Sequence, residues 1–193
     1  MKIVLASQSP RRRALLGQMG LEFTTTSPEI DEDAFQGRAA RDLVQTLSRE
    51  KARWVAAQLP PDTLVIGADT VVVRDGTILG KPRDEAEARA MLTSLAGRTH
   101  QVLTGVTVCQ GDRVVTEAEE TAVTFRPLTD REIAQYVATG EPMDKAGAYG
   151  IQGGAALFCQ RMEGDYYNVM GLPVCRLGQC LRRLVPEVME EAL

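Results

Sequence analysis

One histidine, His100, and four cysteines without a Cys-x-x-Cys pair are the chain's whole supply of the side chains that build zinc centres. A Ser-His-Asp triad would also have to be assembled around His100, and neither a Gly-x-Ser-x-Gly elbow nor a His-Glu-x-x-His pair is present. His100 is therefore expected to hydrogen-bond beside a strand. A chain of 193 residues has no need of disulfide staples, so Cys109, Cys159, Cys175 and Cys180 are expected to be buried small thiols. Any metal should be a hard cation held by carboxylates.

Basic excess is missing too. A net charge of -4 argues against a general nucleic-acid coat protein, which needs a cationic face to displace counterions from phosphates. No apolar run approaches the roughly 20 residues needed to span a bilayer, and no basic leader precedes a long apolar region at the N-terminus. The expectation is a cytoplasmic protein with neither nucleic acid nor membrane as partner. Also lacking are a Gly-x-x-x-x-Gly-Lys-Ser/Thr loop, a Gly-x-Gly-x-x-Gly turn after a strand, internal repeats, low-complexity tracts and inter-domain linkers.

What the chain does have is 44% hydrophobic residues arranged in helix-like and strand-like periods, enough for a real core. Lys2 to Ala6 predicts a strand, and Ser9-Pro10 predicts a helix start with Ser as N-cap. A second strand is expected over Leu21 to Thr26, followed by an acidic loop from Glu29 to Asp33. Leu43, Val44, Leu47 and Val55 recur at helical spacing, predicting a helix over Arg38 to Leu59. Thr63 to Val73 reads as a central buried strand interrupted at Gly67 to Thr70, with a turn at Asp75-Gly76.

Asp84 with Glu87, and Thr129 with Glu132, have the spacing of capping boxes, so helices should run to Gly97 and to near Gly140. Between them Thr99 to Gln110 and Arg113 to Phe125 predict a hairpin turning at Gly111-Asp112. Glu141 to Gly154 holds four glycines and reads as a functional loop. A strand over Ala155 to Met162, a loop over Gly164 to Pro173 and a helix to Leu184 complete an α/β domain around a twisted mixed sheet. Residues 1–184 form that domain, and residues 185–193 are read as a tail that frays.

Three groups of residues could carry chemistry. Ser7, Ser9, Pro10, Arg11, Arg12 and Arg13 lie where a strand feeds a helix N-terminus, and free N–H groups there favour an anion. Cations at that end oppose the helix dipole, so the arginines are either a solvated face or the partners of a phosphate. Asp69 lies in the apolar run Val65 to Val72, where an unpaired carboxylate would be costly, and a metal ion, a basic partner or an exit into a turn must relieve it. Glu32 could join Asp69 around Mg²⁺ or Mn²⁺. Lys51, Lys81 and Lys145 are the cations that could complete such a pocket.

These segments together resemble the Maf family of nucleotide pyrophosphatases. The match runs through Ala6-Ser7-Gln8-Ser9-Pro10-Arg11-Arg12, Ile30-Asp31-Glu32, Glu50-Lys51-Ala52, Gly67-Ala68-Asp69-Thr70-Val71-Val72 and Gly80-Lys81-Pro82. It continues through Thr99-His100, Thr104-Gly105-Val106, Asp144 to Gly153, and Asn168 to Pro173, in the family's order. The resemblance implies a single two-lobed domain of Maf/ITPase-like fold with a substrate cleft, a divalent cation, a homodimer, and cleavage of a nucleoside triphosphate to monophosphate and pyrophosphate. Arg11, Thr70 and Gln152 match the members acting on dTTP and UTP, whereas those acting on 7-methyl-GTP carry an aromatic residue, Gln and Glu there.

Carried onto this chain, the resemblance makes Asp69, Glu32 and Lys81 catalytic, with Asp69 and Glu32 as metal ligands. Ser7, Arg12, Lys51 and Lys145 hold phosphates, and Arg11, Thr70 and Gln152 choose the base. Asp69 could be the base that activates water or chiefly a metal ligand, and Arg13 stays on the surface. The family's history also leaves room for a non-catalytic nucleotide-binding regulator of cell division or septum formation.

Overall fold

The structure is a computed structural model and describes residues 1–191. Its strands are β1 (Ile3–Ala6), β2 (Thr24–Thr25), β3 (Leu64–Arg74), β4 (Thr77–Leu79), β5 (Thr99–Gln110), β6 (Arg113–Phe125) and β7 (Cys159–Glu163). Its helices are α1 (Pro10–Gln18), α2 (Ala40–Ala56), α3 (Glu85–Leu95), α4 (Asp130–Val137), α5 (Tyr166–Met170), α6 (Val174–Leu184) and α7 (Pro186–Glu191). The seven strands make one mixed sheet in the order β2-β1-β3-β5-β6-β7, with β4 paired to β3. The expected α/β class with a mixed sheet is therefore what the chain adopts.

The chain divides into two compact units. The first holds Met1–Asp69, Thr104–Glu119 and the chain from Gly171 onward. Its centre is β1, buried along its whole length and parallel to both neighbours, with Leu5 opposite Ile66 and Ala6 opposite Gly67. A strand covered on both faces must be apolar throughout, which is why Ile3 to Ala6 shows no alternation.

Helix α2 buries Val44, Leu47, Ser48, Lys51, Ala52 and Val55, a stripe with the three-and-four spacing of one helical face. Ala52 and Val55 pack with Val4, Ala6, Val65 and Cys109 in a core cluster. The helix comes so near the sheet that a Cβ on Gly67 would overlap the Ser48 carbonyl, and one on Gly105 the Val44 carbonyl. Gly67 thus serves close packing, and β3 runs on unbroken to Arg74 instead of being interrupted at Gly67 to Thr70.

The second unit holds Thr70–Leu103 and Glu120–Met170. Here β3 turns into β4 through Asp75 and Gly76, both at positive φ. An aromatic cluster forms its centre, with Phe125 edge-on to His100, Tyr149 and Phe158, and Tyr136 edge-on to Phe158. Of the two capping boxes, that of Thr129 and Glu132 is complete. At Asp84 only half forms, because the Glu87 carboxylate accepts from the Arg83 backbone and guanidinium instead.

Local differences from expectation have local causes. Only Thr24–Thr25 of the second predicted strand pairs with β1. Residues Gly154–Leu157 take a 3₁₀ turn, so β7 starts at Cys159. The predicted loop after Gly164 contains α5, started by the Asp165 carboxylate accepting the Tyr167 N–H. Asn168 on α5 donates to the Val102 carbonyl and the Thr121 hydroxyl. All four cysteines are free, but Cys175 is exposed and Cys159 half-buried rather than buried as expected. After Leu184 the chain forms α7 with Val188 buried, while residues 192–193 of the expected tail lie outside the described residues.

Candidate active site

The first unit gathers Ser7, Arg12, Glu32, Lys51 and Asp69. Ser7 follows directly on β1, and Asp69 lies inside β3 two residues beyond Gly67, the last β3 residue paired with β1, so both stand past the carboxyl end of the parallel pairing, where α/β sheets expose loops to ligands. Ser9 caps α1, its hydroxyl accepting the Arg12 N–H at 3.4 Å, and the Ser7 hydroxyl accepts the Ser9 N–H at 3.2 Å. The Arg12 guanidinium bends back over this turn, donating from Nε to the Gly171 carbonyl at 2.8 Å and from Nη1 to the Ser7 hydroxyl at 3.5 Å. Arg11 is half-buried, and Arg13 faces solvent as expected.

Lys51 stands between two carboxylates. Its Nζ lies 2.6 Å from Asp69 Oδ1 and 2.7 Å from Glu32 Oε1. Glu32 opens a 3₁₀ turn capped by the Asp31 side chain and is mostly exposed, whereas Asp69 and Lys51 are buried. Burial, the largest influence, holds the Asp69 carboxyl above the ordinary carboxylate range, against the pull of Lys51 and Arg12. Burial also pushes Arg12 below its usual value, opposed first by Asp69, though a guanidinium stays charged throughout the physiological range. The outcome is a carboxylate of raised basicity facing cations, a combination suited to taking a proton beside an anionic ligand.

Thr70, Lys81, Lys145 and Gln152 belong to the second unit. Thr70 is the next residue of β3 after Asp69 and is half-buried. Lys81 is exposed in the Gly80-Lys81-Pro82 turn, and the Gly80 carbonyl accepts the Gly147 N–H at 3.0 Å, joining that turn to the glycine-rich stretch. Lys145 Nζ donates to the Glu141 carbonyl and to Asp144 Oδ1, each at 2.7 Å. Gln152 is exposed. His100 lies where expected, buried and with Nε2 2.7 Å from the Tyr149 hydroxyl.

A family model described as Maf-like protein matches residues 2–184. The chain belongs to the Maf family. A Maf relative from Symbiobacterium thermophilum, named dTTP/UTP pyrophosphatase, is 53% identical over 180 residues, covering 93% of this chain and 92% of its own. Relatives of the same name from Moorella thermoacetica and Geobacillus sp. are 54% and 50% identical, each over 183 residues. They cover 93% and 95% of this chain, and 93% and 98% of their own. Among solved structures, a nucleoside-triphosphatase / dITP/XTP pyrophosphatase from Mycobacterium abscessus aligns with TM-score 0.42 and 17% identity over 66% of this chain and 76% of its own, a likeness too loose to bear on chemistry.

The donor set of this Maf chain suits a hard divalent cation. Asp69 and Glu32 already converge on one positive charge, and Mg²⁺ typically takes one or two carboxylates with water and substrate phosphates completing its shell. Among the described residues no group of three or more His, Cys, Asp or Glu could hold a metal, so a closed protein cage is not what these side chains offer. Two contributors went unread in sequence. Gly171 acts through a carbonyl, which no side-chain pattern reveals, and Glu141 had only its place at the head of the glycine-rich stretch to mark it.

Proposed function

We propose that this Maf protein hydrolyses nucleoside triphosphates, dTTP and UTP foremost, to the nucleoside monophosphate and pyrophosphate with Mg²⁺ or Mn²⁺. The observation that carries this reading is the Lys51 ammonium shared by Asp69 and Glu32 beside the Ser7-Arg12 turn. Names of relatives near 50% identity supply the substrate class. A sensor of nucleotides has no need of a buried acid facing cations, though it could retain one.

Water attacks the α-phosphorus, the bond from that phosphorus to its β-bridging oxygen breaks, and pyrophosphate leaves. Asp69, buried against Lys51, takes the proton of the attacking water, holds the cation, or does both. A cation held by Asp69 and Glu32 would neutralise charge on the phosphates and lower the pKa of water. Ser7 and Arg12 present a hydroxyl and a fork of N–H donors to phosphate oxygens, and Lys51 would trade part of its carboxylate pairing for them. Lys81 and Lys145 add positive charge for the leaving pyrophosphate. Arg11, Thr70 and Gln152 select the base, since the Gln152 amide can both donate to and accept from a uracil or thymine edge. The homodimer implied by the family belongs to the same proposal.

The test is pyrophosphate release from dTTP, UTP, CTP, GTP and 7-methyl-GTP, with and without Mg²⁺ or Mn²⁺, by wild type and Asp69→Asn. Expected are release from dTTP and UTP that a chelator abolishes, and a loss of about a hundredfold or more in the variant. Tight binding without release would favour the regulator. A preference for 7-methyl-GTP would defeat the choice of base, and near-normal turnover by Asp69→Asn would remove Asp69 from the chemistry.

A further inference from the structure

The stretch from Gly140 to Gly154 contains only short 3₁₀ turns, yet its backbone is tied down by one acid. Glu141 Oε1 accepts the Tyr136 hydroxyl at 2.9 Å, and Oε2 accepts the Gly154 N–H at 3.1 Å. The Glu141 carbonyl accepts from Lys145 Nζ at 2.7 Å. The Tyr136 hydroxyl, while donating to Glu141, accepts the Gly150 N–H at 3.1 Å. Amides two residues before and two residues after Gln152 are thus fixed to a single Glu141-Tyr136 pair.

The backbone is wrapped directly onto this pair. A Cβ on Gly153 would overlap the Glu141 carboxylate. One on Gly150 would come within 2.7 Å of Lys145 Cε and 3.2 Å of Glu141 Oε1, and one on Gly154 within 3.2 Å of the Tyr136 ring. Three of the five glycines in the stretch are therefore required by one carboxylate and its partners. The Gln152 side chain, held between the two fixed amides, is exposed. Burial pushes the Tyr136 phenol up, so it remains a donor to Glu141 at every working pH.

We propose that Glu141 is a positioning residue that holds Gln152 and Lys145 in place, a role that rests on the functional reading above. It touches neither base nor phosphate. Its carboxylate fixes the curve from Gly150 to Gly154 that presents the Gln152 amide, and its carbonyl orients the Lys145 ammonium. An amide that reads a base edge gives selectivity only if its own backbone holds still, because a mobile one satisfies wrong partners nearly as well.

The experiment combines kinetics and hydrogen exchange on the full chain as wild type, Glu141→Ala, Glu141→Gln and Tyr136→Phe. For Glu141→Ala the expected result is a fall of about tenfold in the UTP-over-CTP ratio of kcat/KM, carried mainly by KM for UTP. Amide exchange at Gly150 and Gly154 should quicken about tenfold or more, while exchange in β1 and α2 stays at the wild-type rate. Glu141→Gln, which keeps the shape and one acceptor oxygen, should recover most of the ratio, and Tyr136→Phe should quicken exchange at Gly150. An unchanged ratio with unchanged exchange would overturn the proposal, as would an equal loss on all substrates with faster exchange everywhere. A wild type that turns over no nucleotide would overturn the functional reading instead, and the exchange rates would still judge the clamp.

Discussion

His100 illustrates what a single side chain can owe to its surroundings. It is buried, edge-on to Phe125 and Tyr149, and its Nδ1 has no hydrogen-bond partner among the described residues. An imidazolium would place a second N–H on that unpartnered atom, and burial accordingly lowers the His100 pKa to about 4. Since the unfolded chain protonates this group near pH 6.5 and the folded one only near 4, stability is lost as pH falls through that window. The loss between pH 7 and 5 should be about 2 kcal/mol. Asp69, shifted upward, works in the opposite sense at acid pH, but it is common to a His100→Gln variant and cancels in the comparison. Urea unfolding at pH 7 and pH 5 should show wild type losing that much more than the variant, and an equal loss in both would contradict the burial argument. Legibility in sequence followed the same physics. Asp69 was visible because a charge in an apolar run needs a reason, whereas Lys51 was read only as one of three cations that could complete the pocket, its place on the buried stripe of its own helix showing only in the structure. Glu141 and Gly171 act on backbone or through it, and residue type alone cannot report that.

At the scale of elements, α2 is the part that carries the site, because Lys51 reaches Asp69 only if the helix lies against β3 and β5. Two glycines make that approach possible, with the Ser48 carbonyl over Gly67 and the Val44 carbonyl over Gly105. Gly105→Ala should therefore lift α2 from the sheet, at a cost of about 2–3 kcal/mol in denaturant stability, and weaken turnover by displacing Lys51. Wild-type stability in that variant would show that the helix can shift without strain. Most elements could be read from the chain because pattern and end signals agreed, as at Ser9-Pro10, where the N-cap bond forms, and at Thr129 with Glu132. The misreadings were of other kinds. Gly67 to Thr70 looked like a break, yet Gly67 serves a neighbouring helix, and α5 is too short for its period to show.

For the molecule as a whole, no linker was found in sequence, and the structure explains why. The chain passes between its two units four times, three of them inside β3, β5 and β6, at Asp69-Thr70, Leu103-Thr104 and Glu119-Glu120, and once at Met170-Gly171, directly after α5. A division made mostly within strands needs no separate linker segment, so none stands out in the sequence. Among the described residues no helix is long and apolar enough to cross a membrane. The family was legible from ordered motifs across nearly the whole chain, and the match over residues 2–184 agrees with that span. The central claim is that water attacks the α-phosphorus of a pyrimidine triphosphate. Phosphorus-31 NMR of a UTP reaction run in ¹⁸O-enriched water with Mg²⁺ decides it: the account predicts UMP bearing the label and unlabelled pyrophosphate, whereas UDP with labelled inorganic phosphate, or label in the pyrophosphate, would contradict it.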